Sequence, residues 1–291
     1  MFNKKDERIM LKENQPLQAD HMYPNTEMVT LESLTHLPSR KGLENAVLSN
    51  GQIVNVVSRS YGHLPNDLYY PEIERQLQAS EISHRTRYTN RDNRSFKADY
   101  ILNRDEYNVQ AHTTKDPIYP MLSFKNSYDG SCQTTGHFGF FREVCKNGLH
   151  VSTSTKGFSI RHTVNGGKIV LPSIEKIIQV FMNNDYYTIT SKFTEMQGQE
   201  IFNVKEWVEK ICDQTKIFQF ASSEKNPEPG LLARTVIDTI HREARMYDTG
   251  VNFWTGYNAF NEVLHTSMKK PFDKAEQIDA NLFEHVYAMI N

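Results

Sequence analysis

Hydrophobic and polar positions follow two periods along this chain, and the change falls near Pro172. Before it, apolar residues recur mostly at every second position, the period of a strand with one buried face. SFKADYILN places Phe96, Ala98, Tyr100 and Leu102 on one side and predicts a half-buried strand. NGQIVNVVS begins with a turn dipeptide and continues as a β-branched run. IYPMLSF, GHFGFFREV, GLHVSTS, GFSIRHT and KIVLP read as further strands, with turns at Asp129-Gly130, Asn147-Gly148 and Asn165-Gly166-Gly167. PEIERQLQA predicts a short helix with Pro71 at its start. An antiparallel sheet of about five or more strands is expected.

Beyond Pro172 the period becomes helical. Ile174, Ile177, Ile178 and Phe181 share a face, as do Val204, Trp207, Val208 and Ile211. Leu232, Val236, Ile240 and Ala244 form a third stripe, and Trp254, Tyr257, Asn261 and Leu264 a fourth. A last helix is expected over about 275–290, and SSEKNPEPG (222–230) reads as a linker. Residues 1–50 are polar and broken by Pro16, Pro24 and Pro38, so they read as an extended arm with one short helix near TLESLTHL. The expected organisation is an arm (1–50), a β-rich domain (51–172) and a helical region (173–291) packed on it, an α+β class.

Composition narrows the function classes. Hydrophobic residues make up 38% of the 291 and charged residues 23%, a globular balance. The net charge of −2 is unlike a DNA-coating protein, which carries a basic excess, and unlike a strongly acidic DNA mimic. The N-terminus has no apolar signal core, and no apolar run approaches the ~20 residues of a membrane helix. Three cysteines, Cys132, Cys145 and Cys212, fit reduced thiols, and a cytoplasmic setting without membrane contact is expected.

The stretch NSYDGSCQTTGHFGFFREVCKNGLHVSTSTKGFSIRHT (126–163) concentrates the candidate chemistry. Cys132, His137, Cys145 and His150 lack zinc-site spacing. Glu143 and Lys146 would not share a strand face, as a carboxylate-plus-lysine nuclease requires. Cys145 and His150 lie across a turn, which does not favour thiolate catalysis. No phosphate-cradling glycine motif is present. No metal, cofactor or catalytic set is therefore expected. Binding is better served. Lys125, Arg142, Lys146, Lys156 and Arg161 accompany Tyr128, Phe138, Phe140 and Phe141, a mixture that on an open sheet holds single strands by cations on phosphates and rings under bases. Upstream, SHRTRYTNRDNRS adds Arg85, Arg87, Arg91 and Arg94 with only Asp92 against them, either a solvated loop or a grip on phosphate or an acidic surface.

The motif Asn126-Ser127-Tyr128-Asp129-Gly130-Ser131, followed by Arg142-Glu143-Val144-Cys145-Lys146-Asn147-Gly148 and the Arg161-His162 pair, resembles the core of the phage- and plasmid-borne domain-of-unknown-function family numbered 932. FWTGYNAFNEVLH resembles a second region of that family through Trp254, Asn258, Ala259, Glu262 and His265, and NVVSRSYGHLPNDLYY resembles its opening strand and loop. The likeness runs from about 50 to 268. It implies mobile-element origin and a host cytoplasm, and it supplies no reaction.

In their own chemistry, the short polar residues of the first motif suit turns, and Asn147-Gly148 suits a hairpin. Asn258, Asn261, Glu262 and His265 form one polar stripe on a helix, expected to dock onto the Asn126–Ser131 turn or to build a ligand site. Three functions follow as expectations. The first is a homo-oligomeric inhibitor that binds a host defence protein or nuclease. The second is a single-stranded DNA-binding or annealing protein. The third is a nucleic-acid-processing enzyme resting on Asp129, Glu262 and His265.

Overall fold

A computed structural model describes residues 11–13, 23–102, 117–142, 147–149, 157–160, 173–223, 226–248, 250–268 and 270–290. The chain divides into two compact units. The first comprises Met1–Asn108, Pro120–Phe138 and Thr155–Val180, and the second Val109–Tyr119, Gly139–Ser154 and Phe181–Asn291.

The main sheet has seven strands: β1 (Leu11–Glu13), β5 (His84–Arg91), β6 (Ser95–Leu102), β7 (Ile118–Ser127), β8 (Thr134–Arg142), β9 (Asn147–Leu149) and β10 (Phe158–Ile160). Their order is β1-β5-β6-β7-β8-β10, with β9 also paired to β8. Each pair with a defined register is antiparallel. KIVLP lies outside the described residues. A smaller sheet joins β2 (Thr26–Thr30), β3 (Asn45–Ser49) and β4 (Gln52–Val57), with the short helix α1 (Leu31–Thr35) after β2. So where the sequence reads as an extended arm, residues 26–49 supply two strands. The β3–β4 hairpin turns on Asn50 and Gly51, whose φ values of 49° and 76° are the left-handed pair that a tight hairpin demands.

Helix α2 (Asn66–Ala79) covers one face of the main sheet. Its Tyr69, Tyr70, Ile73 and Leu77 are buried, the Tyr70 hydroxyl donates to the Phe96 carbonyl, and the Tyr70 and Phe96 rings meet edge to face at 5.1 Å. Pro71 lies inside this helix, not at its start. Its i−4 residue, Asp67, is already helical, so the ring costs one intrahelical hydrogen bond, which burial of Tyr69, Tyr70, Ile73 and Leu77 offsets. A second correction concerns β6. All eight of its residues are buried, so it is a two-faced interior strand and not a half-buried one. Its polar face, Ser95, Lys97 and Asp99, is as enclosed as its aromatic face.

The helical half contains α3 (Ile174–Phe181), a π-helical turn (Met182–Tyr186), α4 (Tyr187–Gly198), α5 (Val204–Thr215), α6 (Leu231–Tyr247), α7 (Phe253–Thr266) and α8 (Phe272–Ala288). The second unit is aromatic at its centre. Phe193 of α4 meets Phe140 at 5.1 Å, Trp254 at 4.8 Å and Phe283 at 5.5 Å. The expected linker instead forms a small hairpin, β11 (Ala221–Ser223) with β12 (Asn226–Pro229). Helix α7 approaches α5 closely because Gly256 has no side chain: a Cβ there would meet the Trp207 ring at 2.5 Å.

Candidate functional site

Strand parity decides which side chains meet on the main sheet. Directly opposed residues of antiparallel strands share a face, and the face alternates along each strand. Arg87 opposes Asp99, and Asp99 opposes Ser123. Lys97 lies between Thr89 and Lys125 by the same registers. Arg85 and Arg91 stand on the Arg87 face of β5. One face of three neighbouring strands thus carries Arg85, Arg87, Arg91, Lys97 and Lys125 with Asp99, and Glu13 of β1 stands opposite Arg85 in register.

Asp99 is fully buried and organises the centre of this face. Arg87 Nε donates to Asp99 Oδ2 at 3.0 Å and its Nη2 donates to the same oxygen, while Ser123 donates to Oδ1 at 2.7 Å and Lys97 Nζ lies 3.5 Å from Oδ1. Burial alone would raise the Asp99 pKa, but Lys97 and Arg87 outweigh it and hold the carboxyl well below its usual range. Arg87, Lys97 and Lys125 are all buried, Arg85 and Arg91 are half-buried, and Arg94 in the β5–β6 turn is exposed. Lys125 facing Lys97 is a like-charge cross-strand pair, an arrangement that costs stability. The arginine window is therefore a strand with its turn and not a loop. Lys97, Asp99 and Ser123 escaped the sequence reading because the polar face of β6 was assigned to solvent.

The Asn126–Ser131 motif builds the end of the same sheet. The Asn126 side-chain amide donates to the Leu64 carbonyl at 3.0 Å and to Asn66 Oδ1 at 3.2 Å, and its Oδ1 accepts from Thr134 at 2.6 Å. Asn66 in turn donates to the Pro24 carbonyl and to the Tyr128 hydroxyl. Ser127 donates to the Cys132 carbonyl and accepts from its N–H, which closes the turn. Asp129 accepts from the Ser131 N–H at 2.9 Å, and Gly130 has φ of 76°. The motif is thus a fully bonded splice between α2 and the sheet. The Tyr61 phenol beside it is pushed up to about 12 by burial, with Asp129 and Cys132 adding to the shift.

The helical candidates separate. Arg142 is 1% exposed and donates to both oxygens of Glu243, at 3.1 and 2.8 Å, with the Tyr247 and Trp254 rings over its guanidinium at 5.8 and 5.9 Å. Asn126 takes Leu64, Asn66 and Thr134 as partners, and the polar stripe of α7 has partners within its own unit. Asn261 donates to the Gly148 carbonyl and Asn258 to the Trp254 carbonyl. Glu262 pairs with Arg242 near the surface, at 2.8 Å. His265 lies 3.9 Å from Asp279, which accepts from the Tyr257 hydroxyl. The stripe spreads to three neighbours because i, i+3, i+4 and i+7 positions subtend a wide arc once every side of a helix is packed. Lys146, Arg161 and His162 lie outside the described residues, and Asn147 is described only as backbone of β9. The rings of Tyr128, Phe138, Phe140 and Phe141 are buried, so they are not the open stacking platform that the sequence led us to expect. Cys132 and Cys212 are buried thiols, and burial pushes Cys212 up to about 12.

A family model describing a domain of unknown function, DUF932, matches residues 54–282. The chain belongs to the DUF932 family. The match includes the sheet cations, the Asn126–Ser131 splice and the Arg142–Glu243 pair of this DUF932 chain. No curated protein and no solved structure matches it. Among the described residues of the DUF932 chain, no helix is long and apolar enough to cross a membrane, and no three His, Cys, Asp or Glu side chains are grouped to hold a metal.

Proposed function

We propose that this DUF932 protein binds single-stranded nucleic acid. The observation that carries the reading is the row of arginines along β5 and its turn, Arg85, Arg87, Arg91 and Arg94, which runs from the buried Arg87 through the half-buried Arg85 and Arg91 to the exposed Arg94. Cations that reach the solvent edge of a sheet supply the phosphate contacts on which such binding depends. Arg91 and Arg94 carry the charge to the solvent edge at the β5–β6 turn. The net charge of −2 then means that acids elsewhere offset a local positive field.

Fluorescence anisotropy with a labelled oligonucleotide across a salt series tests this. Binding should weaken steeply with salt, and replacing Arg85, Arg91 and Arg94 together by alanine should flatten the log–log slope by about 2, at ~0.7 per phosphate contact. Absence of binding at low salt, or a slope untouched by the triple variant, overturns the reading.

A second reading is contact with another protein, either a further copy or a host defence component of the kind a mobile element would block. It is favoured by exposed apolar side chains concentrated near the small sheet: Leu34, Leu37, Leu43, Ile53 and Val56, with Leu37 at 66% and Ile53 at 53%. A monomeric mass by light scattering, together with no host protein captured after nuclease treatment, would remove it.

A further inference from the structure

The end of the main sheet holds a second, neutral set of polar groups that the Asn126 splice does not use. Among the described residues, Tyr23 Oη, Thr26 Oγ1, Ser49 Oγ, His63 Nε2 and Thr135 Oγ1 are buried atoms with no hydrogen-bond partner. Thr26 and Ser49 are 6% and 1% exposed. Buried polar atoms are almost always paired, so several orphans in one neighbourhood call for an absent partner.

Four of them share a neighbourhood. Thr26 and Ser49 oppose each other across β2 and β3. The His63 imidazole interacts with the Thr26 backbone and with Asp67. The Tyr23 ring stacks on Tyr70 at 5.6 Å, and Pro24 accepts from Asn66. Thr135 stands apart, because Thr134 Oγ1 donates to Asn126 on the α2 face and the next side chain along β8 lies on the opposite face. Loose packing does not explain the orphans, because the adjacent amides of Asn66 and Asn126 are bonded at both ends.

The chemistry selects the missing partner. Hydroxyls both donate and accept, and an imidazole with one nitrogen unused adds a single directional contact. Burial holds the His63 pKa below its usual range, so the ring is neutral at neutral pH. The carboxylates nearby, Asp67 beside His63 and Asp129 beside Tyr61, disfavour a phosphate. The fitting ligand is uncharged and carries donors and acceptors on a compact edge. Its position is informative as well. The Arg94 carbonyl accepts from the Tyr128 N–H at 2.8 Å, which joins the cationic β5–β6 turn to this end of the sheet.

We infer that one nucleobase of a strand held by Arg91 and Arg94 enters this cluster and is recognised by Thr26, Ser49 and His63. This rests on the nucleic-acid reading above. It also answers the question left by the buried aromatic rings, because a base is held by its hydrogen-bonding edge where no open ring is offered for stacking.

The test compares four homopolymeric oligonucleotides with an abasic strand of equal length, using the wild type and the Thr26→Val, Ser49→Ala and His63→Ala variants. The wild type should favour one base by about tenfold or more over the abasic strand, in line with the ~1–3 kcal/mol of a base-reading contact. In Thr26→Val that preference should collapse towards the abasic affinity. Thr26→Val also removes an unpaired buried hydroxyl, so its melting temperature should hold or rise, which separates loss of recognition from loss of fold. Equal affinity for all five strands in the wild type overturns the base cluster and leaves the nucleic-acid reading standing. A crystal structure of the strand complex with only ordered water on these atoms does the same. If no strand binds but free nucleosides compete for the His63 imidazole resonance, the nucleic-acid reading falls and the cluster stands as a nucleoside site.

Discussion

The two units bury charge in opposite ways. In the second unit Arg142 meets Glu243 one to one, through two hydrogen bonds, with the Trp254 and Tyr247 rings over the guanidinium. Both charges of this pair are matched, and the arrangement is architectural. In the first unit Asp99 answers Arg87 and Lys97 together, while Lys125 faces Lys97 from the next strand. There the described carboxylates are outnumbered. A closed pair is confined to the interior, whereas the cation cluster of the first unit runs out to the exposed Arg94 and brings a positive field to the sheet edge. The difference warns against weighing buried ions by burial alone, since Arg142 and Arg87 are both nearly inaccessible.

The largest effect should come from breaking the matched pair. Glu243→Gln leaves the Arg142 charge enclosed, and a loss of about 3–5 kcal/mol is expected in denaturant unfolding. Replacing both partners, Arg142→Met with Glu243→Leu, should recover most of that loss, because the desolvation cost of both ions disappears. If the double variant is as unstable as Glu243→Gln, the pair does more than satisfy itself, and the contrast between the units weakens.

The arginine edge should respond in binding and not in stability. Arg94→Ala removes an exposed cation, so stability should change by less than about 1 kcal/mol. Polyanion affinity should fall at the same time. A polyanion affinity that Arg94→Ala leaves unchanged would cost this edge of the sheet its claim to a ligand. Acid titration adds a check on the centre of this face. The Asp99 pKa is lowered by folding, so its contribution is fully present above the ordinary value of 3.8 and is lost as pH falls below it. Asp99→Asn should remove that limb of the acid transition.

The contrast also explains how far the sequence could be read. Strand alternation and helical stripes located the strands around Phe96 and Phe124 and the helices α5, α6 and α7, because a side chain on a periodic apolar face has one favourable place to go. Helix α4 was missed: Ile189, Phe193 and Met196 are interrupted by threonines, and a π turn shifts the register before it. Glu243 was invisible for a different reason. It continues the buried stripe of Ala233, Val236 and Ile240, and no local pattern announces that Arg142, far away in sequence, will neutralise it. Asn126 and Asn66 were legible as turn or cap residues, yet their bond to each other is a long-range fact. The cation face needed both strand registers before Lys97 and Lys125 could be set beside the arginines already noted.

The smallest effect concerns a neutral group in the unit with the charge surplus. Burial lowers the His63 pKa on folding, with the Thr26 backbone and Asp67 opposing the shift. The unfolded chain therefore takes up a proton first as pH falls below 6.5, the ordinary value, and the folded state resists. Stability from this residue is complete above that point and declines as pH drops towards the folded value. Other histidines titrate over the same range, so the informative quantity is the difference between wild type and His63→Gln. Glutamine keeps a polar group of similar reach but takes up no proton. The gap in melting temperature between the two proteins should be constant above pH 7 and should shift in favour of His63→Gln as pH falls towards 5. A nucleobase bound against the imidazole would enlarge the wild type's advantage at neutral pH and leave the acid limb steeper. A gap that ignores pH would place His63 in water, and the orphaned hydroxyls beside it would then need no partner but solvent.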